Sequence, residues 1–94
     1  MIAAAPSGDC RPRLPRGVRL KHDDIRKEWL LLAPERVVKA NPVAVAVLER
    51  CDGQRTLDEI VDDLAQAYSA DRAIIARDVS VLIADLAARR MVDL

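Results

Sequence analysis

Aromatic residues are almost missing from this sequence: Trp29 and Tyr68 stand alone, and there is no phenylalanine. A core must therefore be assembled from Val, Leu, Ile and Ala. Cysteine is nearly as scarce. Cys10 and Cys51 are too few for a disulfide scaffold. With the single His22 and no C-x-x-C spacing, they also fall short of the roughly four ligands of a tetrahedral zinc site. No apolar run approaches the roughly 18 residues of a membrane span. Residues 1–5 are apolar but lack a basic start and are too short for a signal peptide, so a cytoplasmic location is expected. Excess charge is absent too. Fifteen basic residues meet fifteen acidic ones, so no long-range field gathers a polyanion, which argues against nucleic acid as the main partner.

What is present reads as one small globular domain. The chain of 94 residues is 51% hydrophobic and 32% charged, a folded rather than a disordered composition. A chain of this length buries about 60–65% of its unfolded surface, enough for a single core. The neutral total conceals an asymmetry. Residues 1–50 hold ten Lys or Arg against six Asp or Glu, and residues 51–94 hold five against nine. This either segregates onto two faces of the fold or carries no meaning.

Residues 1–17 are punctuated by Pro6, Gly8, Pro12, Pro15 and Gly17, and no period survives between them. With Arg11, Arg13 and Arg16 they predict a flexible basic tail ahead of a domain at 18–94. Val18, Leu20 and His22 alternate with Arg19, Lys21 and Asp23, the period of a half-buried strand. After a turn at Asp23-Asp24, the run Glu28-Trp29-Leu30-Leu31-Leu32 predicts a second strand, stopped before Pro34. Arg36-Val37-Val38-Lys39 predicts a third, short and charged at its ends as an edge strand is.

Three helices follow. Asn41 caps the first and Pro42 occupies its first position. Val43, Val47, Leu48 and Cys51 are expected on one face, with Asp52-Gly53 as the stop and Gly53 as a left-handed terminus. Thr56-Leu57-Asp58-Glu59 is a capping box opening the second helix. Its apolar stripe is Leu57, Ile60, Val61, Leu64 and Tyr68. The third starts near Ser69 or Asp71 and runs to about Arg90, with Ile75, Val79, Leu82 and Leu86 as the expected core stripe. Ile74 and Val81 lie off it, so this helix is apolar on more than one side. Three short strands followed by three helices define a small winged-helix-like α+β domain.

Catalytic constellations are lacking. His22 has no nucleophile or orienting partner within reach of the sequence pattern, and no phosphate loop, dinucleotide fingerprint or nucleophile elbow occurs. Asp58, Glu59, Asp62 and Asp63 read as the solvated face of the second helix, favourable at its N-terminus. A DNA-reading third helix would need Arg, Lys, Asn and Gln. Residues 71–90 contain four Arg, three Asp and no Lys, Asn or Gln. Peptide recognition fits better: an edge strand offers backbone hydrogen bonds and a neighbouring helix offers side-chain pockets. The alternative for Ile74 and Val81 is plain core.

Several segments together resemble the PqqD family of pyrroloquinoline quinone (PQQ) biosynthesis. They are Pro15-Arg16-Gly17-Val18-Arg19-Leu20, Trp29-Leu30-Leu31-Leu32-Ala33-Pro34-Glu35-Arg36, Asn41, Asp52-Gly53, Thr56 with Ile60 and Leu64, and Asp78-Val79 with Leu82 and Leu86. The similarity covers roughly residues 12–94. It implies a winged-helix-like recognition element, not an enzyme, that binds the PQQ precursor peptide. It implies presentation of that peptide to a radical S-adenosylmethionine enzyme, which cross-links a Glu and a Tyr. The iron–sulfur clusters and S-adenosylmethionine belong to that partner, so this chain is expected to carry no cofactor. The peptide is expected to add as a strand along Arg36, Val37, Val38 and Lys39 and to lie against the third helix. On that helix Ile74, Arg77, Val81 and Asp85 follow helical spacing one residue before the core stripe, as an adjacent stripe turned about 100°. A winged-helix DNA-binding regulator remains the alternative function, and a homodimer through paired strand edges remains open.

Overall fold

A computed structural model describes residues 7–94. Three strands form an antiparallel meander in the order β1 (Arg19–Asp23), β2 (Glu28–Ala33) and β3 (Arg36–Ala40). Leu20, Leu31 and Val38 lie side by side across the sheet. Leu31 is fully buried and the other two pack on the core. Because side chains alternate, Val18, Ala33 and Ala40 share this inward face, while Leu30, Leu32 and Val37 point the other way. The β1–β2 turn is held by the Asp23 carboxylate, which accepts from the amides of Ile25 and Arg26.

The helices are α1 (Pro42–Leu48), α2 (Leu57–Ala67) and α3 (Arg72–Ala88). Asn41 caps α1 by accepting from the Ala44 amide at 2.8 Å, with Pro42 in the first turn. Thr56 and Glu59 complete the capping box of α2. Asp71 caps α3 through the Ala73 amide, which fixes the helix start at the second of the two expected positions. Both α2 and α3 end with a residue at positive φ, Ser69 and Arg90. The amides of Ala70 and Met91 then reach back to the Ala65 and Leu86 carbonyls, a paired helix-end motif usually built on glycine.

The core joins Leu31 of the sheet to Val47, Leu48 and Cys51, to Leu57, Ile60, Val61 and Leu64, and to Val79, Ile83 and Leu86. Met91 and Val92 close it from the C-terminal side.

Several expectations need correction. The segment 7–17 is no free tail. Arg13 exchanges backbone hydrogen bonds with Asp93 at 2.9 and 2.8 Å, and Pro12, Cys10 and Gly8 carbonyls accept from Gly53, Leu57 and Asp58. Pro12 is fully buried, and Cys10 and Leu14 pack on the core. The part of the tail expectation on residues 1–6 lies outside the described residues. Helix α1 stops at Leu48, capped by Glu49, before Asp52-Gly53. Gly53 does adopt positive φ (77°), but in a loop where its amide meets Pro12. Val43 and Tyr68 are exposed, so neither belongs to its helix's buried face. On α3 Val79 and Leu86 are buried as expected, but Ile83 joins them, while Ile75 and Leu82 are only partly covered.

Candidate functional site

Strand β3 has β2 on one side and, among the described residues, no strand on the other. Its outer edge therefore carries backbone N–H and C=O groups without ladder partners. Arg36, Val37 and Lys39 are exposed and Val38 is half-buried against the core. Lys39 sits 3.6 Å from Glu28, its neighbour on β2.

The two ends of β3 lie toward opposite ends of α3. Arg36 lines a shallow cleft with Arg89, Arg90 and Met91, so β3 begins near the end of α3. Just past β3, Pro42, Val43 and Ala46 line a pocket of about 180 Å³ with Ile75, Asp78 and Val79. Leu64 of α2 and Tyr68, which caps that helix, also line the pocket. Element packing joins α3 to α2 and β3 to α1.

The structure brings Arg77, Val81 and Asp85 together in one surface depression, with Asp78 and Leu82. Val81 is 66% exposed and Ile74, further toward the start of α3, is 51% exposed. Neither is core. The charged members are weakly engaged: Arg77 lies 3.8 Å from Asp78, and Asp85 lies 3.4 Å from Arg89. Exposed pairs of this kind contribute little and are readily exchanged. The β3 residues do not line this depression themselves; backbone, not side chains, is what β3 offers. Sequence reasoning missed Val43 and Tyr68 as pocket-lining residues. Their signal was position, since both sit at helix ends, where a side chain overhangs the core rather than entering it.

His22 hydrogen-bonds Asp24 at 2.8 Å and stands edge-on to Trp29, with ring centres 4.9 Å apart. Burial pushes the Cys51 thiol up to about 12 and also raises that of Cys10, so neither is primed as a thiolate. The carboxylates of α2 are occupied. Thr56, through its amide and hydroxyl, holds Glu59 below the usual carboxylate range, and Arg50 does the same for Asp63. Asp62 pairs with Arg72, and Asp58 lies 3.7 Å from the same guanidinium. Among the described residues no group of three or more His, Cys, Asp or Glu side chains could hold a metal. Among the described residues no helix is long and apolar enough to cross a membrane.

A meander of three strands, a three-helix layer, and a free strand edge beside a partly apolar helix define a small α+β domain of the recognition-module kind. The comparisons make this specific. Residues 28–92 match the family described as Coenzyme PQQ synthesis protein D, PqqD, and the chain belongs to that family. A PqqA binding protein of Rhodopseudomonas palustris is 52% identical over 81 residues, covering 86% of this chain and 79% of that one. A bifunctional coenzyme PQQ synthesis protein C/D of Methylorubrum extorquens is 47% identical over 87 residues; the match covers 93% of this chain but 23% of that protein. Among solved structures, the PqqD portion of Methylobacterium extorquens PqqCD, a stand-alone recognition element for ribosomally made, modified peptides, superposes with a TM-score of 0.81. It is 46% identical, with 94% of each chain covered. The crystal structure of PqqD from Xanthomonas campestris gives 0.61 at 43% identity, covering 95% of this chain and 99% of that one.

Proposed function

We propose that this chain binds the PqqA precursor peptide of PQQ biosynthesis as an added strand on β3, with peptide side chains seated against α3. It then presents the peptide to a radical S-adenosylmethionine enzyme. The observation that carries this reading is a free strand edge whose two ends lie toward opposite ends of a helix that leaves Ile74 and Val81 exposed. An edge strand supplies register and affinity through its backbone; the helix supplies selection through its side chains. Arg36, Val37, Val38 and Lys39 form the backbone rail. Ile74 and Val81 offer apolar contact, and Arg77 and Asp85 discriminate charge. The domain holds its peptide without transforming it, and works in the cytoplasm beside the enzymes of the pathway. A relative that carries this domain in a bifunctional C/D protein supports such proximity.

Isothermal titration with synthetic precursor peptide at 50 and 200 mM salt tests this. Strand addition predicts saturable one-to-one binding that changes less than tenfold between the two conditions. A duplex DNA ligand making several phosphate contacts would weaken by about a thousandfold or more over that range. Absence of peptide binding would remove the proposal. The acids on α3, Asp78 and Asp85, weigh against phosphate as the ligand.

A further inference from the structure

Neither the β3 edge nor the exposed stripe of α3 accounts for the pocket between α1 and the start of α3. Ala46, Leu64 and Val79 give it a buried floor, and Val43 and Tyr68, 58% and 59% exposed, stand at its rim. Asp78 is its one charged member. Large apolar side chains left in solvent around a buried apolar floor are the usual mark of a binding site.

Size limits what can enter. The pocket holds about 180 Å³. Sites for cofactors and other small molecules run to roughly 300–1,000 Å³, whereas a cavity of about 150 Å³ already accepts a benzene ring. One large side chain fits; a cofactor does not. Asp78 restricts its charge. The only ion pair of that carboxylate among the described residues is the 3.8 Å contact with Arg77, so an acidic side chain would meet a like charge with little to offset it.

Position says whose side chain it is. Strand β3 ends at Ala40, and Pro42 and Val43, two and three residues further on, line the pocket. Asp78 also lines the depression that holds Arg77, Val81 and Asp85. The pocket therefore adjoins both the end of the open strand edge and the exposed stripe of α3. A segment paired along β3 and extended two or three residues past Ala40, about 7–10 Å, arrives at its rim. A second copy offers one rival occupant in Ile25, 94% exposed at the tip of the β1–β2 turn. That contact is heterologous, so it would build rings or fibres of the chain, and it would leave the β3 edge unpaired. The peptide enters the pocket simply by continuing the strand it forms.

We propose that this pocket is the anchor socket of the peptide site: it takes one large aliphatic or aromatic side chain of the precursor peptide, from a position just beyond the stretch paired with β3. This rests on the reading of β3 as the peptide-binding edge. Pairing along a strand edge is made by the backbone, and pockets for side chains provide the choice between peptides. A buried apolar anchor is also where binding energy concentrates. Helix α2 contributes side chains only, since the Tyr68 amide stays bonded to the Leu64 carbonyl at 3.0 Å.

A double-mutant cycle tests this, read by isothermal titration of the whole chain with synthetic precursor peptide. Ala46→Leu places a larger side chain in the socket, and each large apolar residue of the peptide is cut to Ala in turn. With the wild-type chain one truncation should weaken binding at least tenfold. Ala46→Leu should weaken the intact peptide by a similar factor, and the truncated peptide should bind both chains within about twofold. If Ala46→Leu does not fold, Val43→Asp, at the exposed rim, should show the same coupling. Intact peptide that binds the folded variant as tightly as wild type would overturn the proposal, as would losses that simply add at every peptide position. So would self-association of the wild-type chain in sedimentation that Ile25→Ser and Ala46→Leu both abolish, because the socket would then belong to a second copy. A wild-type chain that does not bind the peptide, or binds it without protecting β3 amides from exchange, would instead strike the β3 reading, and the socket with it.

Discussion

Helices α2 and α3 pack against each other, yet they divide their apolar residues differently. In α2, Leu57, Ile60, Val61 and Leu64 are all buried, and the opposite side is carboxylates held by Arg50, Arg55 and Arg72. In α3, Val79, Ile83 and Leu86 are buried while Ile74 and Val81 face solvent. One helix uses its whole apolar face in the core; the other leaves part of it exposed. If the proposed binding stripe is right, that difference separates the stability of this domain from its recognition.

Charge placed on α3 should break the comparison most sharply. Ile83→Asp puts an unpaired carboxylate where nothing is exposed, a cost of several kcal/mol that should unfold a domain of this size. Val81→Asp, two residues away, should leave the thermal transition nearly unchanged and weaken peptide binding at least tenfold, about 1.4 kcal/mol. Circular dichroism melts and calorimetry read the two effects separately. Unfolding of both variants would place Val81 in the core and remove the binding stripe.

Proline scanning of β3 comes next in size. In an antiparallel strand successive residues send their amides to opposite edges, so of Val37 and Val38 one faces β2 and the other the free edge. Val37→Pro and Val38→Pro should therefore differ. One should destabilise the sheet. The other should stay folded and lose about tenfold in peptide affinity. Equal effects on stability, with peptide affinity untouched in both, would move the peptide off β3.

The smallest effect belongs to α2. Thr56→Ala removes the capping hydroxyl and should cost about 1 kcal/mol of stability without changing peptide affinity per folded molecule. Glu59 and Asp63 have folded pKa values below their unfolded ones. Their stabilising effect is therefore present above about pH 4–4.5 and lost as pH falls through the depressed values. The melting temperature should drop on acidification through this window, and the drop should be shallower in Thr56→Ala. A loss of peptide affinity in that variant would implicate α2 in recognition.

Much of this division was legible in the sequence, for local reasons. Asn41-Pro42 and the Thr56–Glu59 box act within one turn, so they can be read without knowing the fold. The strand register follows from alternation, since a slip of one residue would turn Leu31 and Val38 outward. On α3, helical spacing left Ile74 and Val81 off the core stripe, where the structure has them exposed. What was illegible depends on distant partners. Residues 7–17 look like a tail because their hydrogen bonds go to Gly53, Leu57 and Asp93, which no local pattern shows. On α3, seven large apolar residues from Ile74 to Leu86 wrap most of the helix. Only its packing on α2, with Met91 and Val92 closing the core, selects Ile83 over Leu82 as the buried one.

Amide hydrogen exchange with and without the precursor peptide tests the central claim most directly. Free-edge amides of residues 36–40 should become protected on binding, α3 residues 74–85 should show smaller changes, and α2 should exchange as before. Protection concentrated on α2, or β3 amides that exchange equally fast in the complex, would contradict a peptide held as a fourth strand.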